Sequence, residues 1–471
     1  MASTTVPSAA PPPWKTAARR LTKFLLLAPA VIVGVLTLAK AVLPQPHSYG
    51  LDARHAPRPF LQMPETIDGK LPRLLSQTGA FRDTPKLLAS EGLIPYDLVV
   101  AFWSDGARKS RWISVPDGKI RFSPTGEWSF PAGTVFVKNF ELPTDEAHPE
   151  RVRRLETRLL VRNSRGGVYG VVYKWRADGS DADLLSSSLT ERIPVRMADG
   201  TVREQSWYYP SRHDCLTCHT ARAGGVLGVK TRQMNRDLTY PSGVTDNELR
   251  AWNHIGLFSV SFSDAQLAQF PKLAAADDTT RTLEERARSY LDANCAQCHR
   301  PGGTVASFDV RYDTPLVKQG LIDGPVVYDL QIDRSRVIAP HDIWRSIAFM
   351  RVNTDGDIRM PPLARETIDR HGMALLKEWI LSLPGRAVLD PPQIAPAGGN
   401  YEHPVSVVLT ENAPGADIRY TLDGSAPGPS DARYEGPIRL EQPTVLRARA
   451  YKEGFTRSIT SQQVFVFGTA H

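Results

Sequence analysis

Cysteine is scarce in this chain of 471 residues: there are four, all inside two short segments, so none is left over for a disulfide framework. Charge of one sign is not concentrated either. The 57 basic and 50 acidic residues leave a net charge of +7, spread without a polybasic block and without interleaved basic and aromatic residues. That distribution excludes nucleic acid as the partner and describes a mostly solvated surface able to dock an acidic protein or an anionic membrane. The length leaves room for three ordinary domains with buried cores.

The four cysteines stand as Cys215-Leu216-Thr217-Cys218-His219 and Cys295-Ala296-Gln297-Cys298-His299, two copies of C-x-x-C-H. At this composition a given cysteine is followed by that Cys and His by chance about two times in ten thousand. The pattern is the attachment signature of c-type haem. Two thiols one helical turn apart can form thioethers to the two haem vinyl groups, and the adjacent imidazole can ligate iron. A thioredoxin-like pair would need no histidine and would seldom come twice. A zinc site pooling both pairs leaves the histidines unexplained, and residues three apart on a helix make poor disulfides. The expectation is two covalent haem c groups on Cys215, Cys218, Cys295 and Cys298, with His219 and His299 on iron.

Haem is attached after export, and an export signal is present. Lys15, Arg19, Arg20 and Lys23 precede an uncharged apolar run from Phe24 to Ala39. Ala39-Lys40-Ala41 has the form of a cleavage site, which would release a soluble periplasmic protein. Continuation of the run through Leu43 favours instead an uncleaved transmembrane anchor in the inner membrane. Charge on the N-terminal side puts the rest of the chain outside the cytoplasm in both cases.

Composition shifts divide the chain into a disordered tail (1–16), a signal peptide or anchor (17–43), a linker (44–73), a β-rich domain (74–209), a dihaem cytochrome c region (210–383), a second linker (384–392) and a β-sandwich (393–471). Strand-like runs such as Gly133-Thr134-Val135-Phe136-Val137, parted by turns such as Gly166-Gly167 and Asp178-Gly179, give the pattern of an antiparallel sandwich or barrel and predict a sandwich-like all-β domain. Trp103-Ser104-Asp105-Gly106 reads either as a polar site or as a turn held by an Asx bond. Thr282-Leu283-Glu284-Glu285 has the form of a capping box for a helix running into Cys295. Leu375, Leu376, Trp379 and Ile380 recur at helical spacing. The expected fold is multidomain: sandwich-like β, then mainly α-helical, then an immunoglobulin-like β-sandwich.

Met360, in Arg359-Met360-Pro361-Pro362, is the expected sixth ligand of the second haem, because its proline-rich loop before the last helix resembles the distal-ligand loop of monohaem cytochromes c. For the first haem the choices are His254, Met234 or an open position.

From about Leu74 to Leu383, Phe130-Pro131-Ala132-Gly133-Thr134, Arg154-Leu155-Glu156-Thr157-Arg158, Gly225-Val226-Leu227-Gly228 and Tyr290-Leu291-Asp292-Ala293-Asn294-Cys295 resemble a bacterial family of dihaem c-type cytochromes of largely unassigned role. The resemblance implies an exported electron carrier, with ligation on the two C-x-x-C-H motifs and Met360. Tyr420-Thr421-Leu422-Asp423-Gly424-Ser425 and Ala450-Tyr451-Lys452-Glu453-Gly454-Phe455 resemble the chitobiase/β-hexosaminidase C-terminal domain, which implies an interaction module with carbohydrate contact as one possibility. The leading functional expectation is electron transfer between exported redox proteins. The alternatives are a dihaem peroxidase-like oxidoreductase with an open first haem and a substrate-binding protein with accessory haems.

Overall fold

The computed structural model describes residues 1, 48–55, 58–304 and 307–468. The chain divides into Met1–Tyr49 and Gly50–His471, and the architecture below belongs to the second unit. Apart from Met1, the tail and leader expected over 1–43 lie outside the described residues.

Strands β1 (Phe81–Asp83) and β2 (Leu88–Ala89) pair as a short ribbon. Strands β3 (Leu93–Pro95), β4 (Arg108–Ser114), β5 (Val135–Pro143), β6 (Val152–Arg162), β7 (Val168–Trp175) and β8 (Ala182–Leu184) form one antiparallel sheet in chain order. A separate hairpin follows, β9 (Leu189–Arg196) with β10 (Val202–Tyr209). Register decides what each face carries. Val137, Leu159 and Val171 lie side by side on one face, while Phe136, Leu160 and Gly170 share the other.

Met63, Leu75 and Phe81 close the first face. Val226, Trp252, Leu257 and Phe258 close part of the second. The sandwich-like expectation for this domain is therefore corrected: a single six-stranded sheet is buried on both sides by loops, short helices and the two-stranded β9–β10 hairpin, whose Ile193 and Trp207 pack on Phe140 and Leu155, and among the described residues no second large sheet packs on it. Burial on both faces explains why runs such as Val135-Phe136-Val137 are continuously apolar. Trp252 is fully buried there, and truncating it to alanine should cost about 3–5 kcal/mol.

Between 210 and 383 the described helices are α1 (Arg212–Cys218), α2 (Thr231–Met234), α3 (Glu248–His254), α4 (Asp264–Leu267), α5 (Leu283–Cys295), α6 (Ile347–Val352) and α7 (Arg370–Ser382), with a small ribbon of β11 (Asp237–Thr239) and β12 (Thr245–Asn247). Only α5 and α7 exceed seven residues, so the mainly α-helical cytochrome region is also corrected. Pro301, Pro315, Pro325, Pro340, Pro361 and Pro362 fall between those two helices and remove the donors that a longer helix would need. Thr282 caps α5, its hydroxyl accepting from the Glu285 amide at 3.2 Å and its amide donating back to the Glu285 carboxylate at 2.9 Å. Leu291 on α5 packs with Leu376 and Ile380 on α7 in a third core.

The C-terminal strands are β13 (Gln393–Ala395), β14 (Gly399–Tyr401), β15 (Val405–Thr410), β16 (Asp417–Thr421), β17 (Ala432–Arg433), β18 (Ile438–Leu440), β19 (Thr444–Tyr451) and β20 (Ser461–Phe467). They form a three-stranded and a five-stranded sheet around Val407, Leu409, Leu446 and Phe465. Asp333, from the preceding region, holds this module through Arg457 at 2.8 Å and Arg449 at 3.4 Å, with Arg345 at 3.5 Å on its own side.

Glu248, at the start of α3, is fully buried. One carboxyl oxygen accepts the Asp97 amide at 2.6 Å and the other has no hydrogen-bond partner. Burial pushes its pKa from 4.5 to about 9, against the pull of that amide and of Arg236. The folded state thus holds a proton that the unfolded state releases above pH 4.5, and stability contributed by this group falls as pH rises between 4.5 and about 9. Glu248→Gln should remove that decline, so denaturant unfolding of the variant should gain on the unsubstituted protein across this window, by at most about 1.4 kcal/mol per pH unit. A stability difference constant with pH would contradict the assignment.

Candidate functional site

The first motif is presented by a sheet edge and a tight turn. Strand β10 runs through Pro210 to Ser211, whose hydroxyl accepts the Asp214 amide at 3.2 Å. The Asp214 carboxylate takes the Ser211 amide and the Tyr208 hydroxyl, each at 2.8 Å, and this starts α1. The helix then lies directly on β7. A Cβ at Gly170 would stand 2.7 Å from Cys215 Sγ, so no other residue type fits there unmoved. After His219 the chain turns back through Gly224 and Gly225, at φ of 81° and 74°. That turn brings the Gly225 carbonyl 2.9 Å from His219 Nδ1. Because a carbonyl only accepts, Nδ1 carries the proton and Nε2 keeps its lone pair, the arrangement of a metal-ligating imidazole. Burial pushes this imidazole down to about 4 and so favours its neutral form.

Cys215, Cys218 and His219 line a cavity of about 200 Å³. Its other walls come from the sheet, through Phe136, Lys138, Arg158 and Leu160, and from α5 and the turn after it, through Asp292, Gln297 and Arg300. Neither alternative sixth ligand reaches this cavity. Met234 is fully buried in the core with Trp128 and Trp252, where a flexible thioether fills space. His254 is exposed at the end of α3.

The second motif opens on a separate cavity of about 330 Å³, and Cys295, His299 and Met360 all line it. Its remaining walls are largely apolar, with Val337, Ile338, Phe349, Leu376 and Ile380. The His299 ring stacks on Phe308, with centroids 4.4 Å apart, and its Nδ1 has no hydrogen-bond partner. Burial, with Arg351 nearby, pushes this imidazole also to about 4. The Met360 amide donates to the Arg351 carbonyl at 2.8 Å, and Arg365 ties the same loop to the carbonyls of Val352 and Thr354. Met350, a thioether only ten positions earlier, does not line the cavity.

The two motifs adjoin. The Cys218 thiol lies within hydrogen-bonding reach of Cys298, which raises the pKa of Cys218 and lowers that of Cys298 to about 7. Lys230 pairs with Asp292 at 2.8 Å, and Arg300 pairs with Glu127 at 2.9 Å. Both ion pairs bind the turns of one motif to the neighbourhood of the other.

Sequence reasoning left Asp105 undecided between a site and a local turn held by an Asx bond. The turn is there, with the Ala107 amide donating to the Ser104 carbonyl at 2.9 Å, but the Asp105 side chain serves a distant loop instead. Its buried carboxylate accepts the amides of Glu366 and Thr367 at 2.9 and 2.8 Å and the Thr367 hydroxyl at 3.0 Å. Trp103 adds its indole N–H to the Thr367 carbonyl at 3.0 Å and its amide to Asn294 at 2.8 Å. The segment therefore clasps the loop after Met360 and the end of α5, a role across more than 190 residues that no local pattern signals.

Among the described residues no three His, Cys, Asp or Glu side chains come together to hold a metal ion, and no helix is long and apolar enough to cross a membrane. The expectation of a metal-binding, transmembrane chain is corrected for the described residues, and the segment expected as the anchor, 17–43, lies outside them. The acidic groups near the motifs are committed elsewhere, Glu127 to Arg300, Asp292 to Lys230 and Asp214 to the start of α1. What the cavities offer is one imidazole in the first, and an imidazole with a thioether in the second.

Gly170→Val should force α1 off β7. The expected cost is about 1–3 kcal/mol, read as a lower denaturant midpoint. An unchanged midpoint would mean that Cys215 does not pack where it is described.

No curated protein matches the chain. Residues 396–462 match the chitobiase/beta-hexosaminidase C-terminal domain, and this match covers the C-terminal β module alone.

Proposed function

We propose that this protein is an exported dihaem c-type cytochrome that passes electrons between redox proteins outside the cytoplasm. The observation that carries the reading is the second cavity, where Cys295, His299 and Met360 share one largely apolar space. Cys215, Cys218 and His219 would hold the other haem, and the hydrogen bond from His219 Nδ1 supports its place on iron. The groups, when bound, supply one-electron chemistry. The chain's own part is to exclude water, hold the imidazoles neutral and keep the two attachment points together through the Lys230–Asp292 and Arg300–Glu127 ion pairs. The resemblance of about 74–383 to the dihaem cytochrome family supports the same reading.

A peroxidase-like oxidoreductase with an open first haem is the second reading. It draws on one observation, that neither His254 nor Met234 lines the first cavity. The C-terminal module is compatible with carbohydrate contact, which pull-down on immobilised polysaccharides would detect.

Produced with a cytochrome maturation system, the exported chain should carry two haem masses by mass spectrometry. Recovery of a metal-free or zinc-bound protein would refute the proposal.

Met360→Ala should abolish the sulfur-to-iron band at the red edge of the ferric spectrum. It should also lower one haem potential and open one ferrous haem to carbon monoxide, with both covalent attachments intact. Spectra identical to those of the unsubstituted protein would remove Met360 as a ligand.

A further inference from the structure

The first cavity contains a lysine that no ion pair or hydrogen bond among the described residues engages. On adjacent strands Arg111, Lys138 and Arg158 stand opposite one another in register, a row of three cations across β4, β5 and β6. All three line the cavity that holds His219. Like charges directly opposite on neighbouring strands are destabilising, so each needs a partner. Arg111 has Asp97, and Arg158 has Glu156 at 2.6 Å. Lys138 has neither an ion pair nor a hydrogen bond among the described residues. Its Nζ stands 4.9 Å from the centroid of the Phe140 ring, on its own strand.

We propose that the Lys138 amine is the sixth ligand of the haem carried by Cys215, Cys218 and His219. The inference rests on the dihaem reading and goes beyond it, since it assigns the position for which His254 and Met234 were the expected groups. Among the described residues lining this cavity, His219 is the only imidazole and no thioether is present, whereas Lys138 reaches the space from a central strand. A primary amine ligates through its nitrogen lone pair and must first lose its proton. The wall of the cavity favours that state: burial, and then Arg111, Lys109 and Arg158, disfavour the ammonium form, with only Glu156 opposing. The same cations leave an amine in place of a third charge, which removes the repulsion within the row.

The test uses the full holoprotein in the ferric state and electron paramagnetic resonance. In the unsubstituted protein both haems should be low-spin. In Lys138→Ala one of the two should turn high-spin, about half of the total iron, and added imidazole should restore it. Lys138→Arg keeps a long basic side chain in place but stays protonated and cannot give up a lone pair, so it should also produce the high-spin signal.

A haem already high-spin in the unsubstituted protein would overturn the proposal in favour of an open site. Two low-spin haems in either variant would overturn it in favour of another ligand. The haem mass count on the same samples distinguishes these failures from failure of the dihaem reading, since loss of Lys138 should leave both attachments in place. Fewer than two haems in the unsubstituted protein would defeat both together.

Discussion

The approach of α1 to β7 at Gly170 is the contact on which the first site depends. With no side chain at that position, Cys215 can rest on the sheet, and the helix is held close enough for its next turn to deliver Cys218 toward Cys298. Everything downstream follows from that placement. The chain must then reverse at Gly224 and Gly225 to fix His219, and the second face of the sheet becomes a cavity wall instead of ordinary core. A strand face normally filled by another layer is here left partly open, with a row of cations across it.

Much of the second site was legible in the sequence, and much less of the first. The capping box at Thr282, the helix into Cys295 and the closing helix with Trp379 are local or nearly local signals, and each of these elements stands where its spacing led; Met360 lines the second cavity, and its place on iron is part of the proposal. The sixth group of the first cavity was sought near the motif in sequence, at Met234 and His254. Lys138 lies 77 positions before Cys215 and faces inward only because of β-strand register, which pairs it with Arg158 and Arg111. Nothing short of the sheet itself could reveal that.

The two corrections of fold share one cause. Apolar strand-like runs were taken for a sandwich, and a region bearing two haem-type motifs for a mainly α-helical one. In the structure each supplies the covering that the other lacks: the second face of the six-stranded sheet is buried by Val226, Trp252 and Phe258 from the later region. Short, proline-punctuated segments suffice there because the sheet provides the rigid surface. Asp105 and Trp103 complete the union by holding the loop that follows Met360.

Asp292, Gln297 and Arg300 wall the first cavity although they belong to the second motif and its helix. Synthesis proceeds from the N-terminus, so His219 exists for some 80 residues before the last of that wall has been made. The earlier pocket cannot close around anything until the later motif has arrived, and the two are completed as one assembly step. The chain cannot be divided between them into two autonomous single-site proteins, and a truncation before residue 292 would expose the first site along with removing the second.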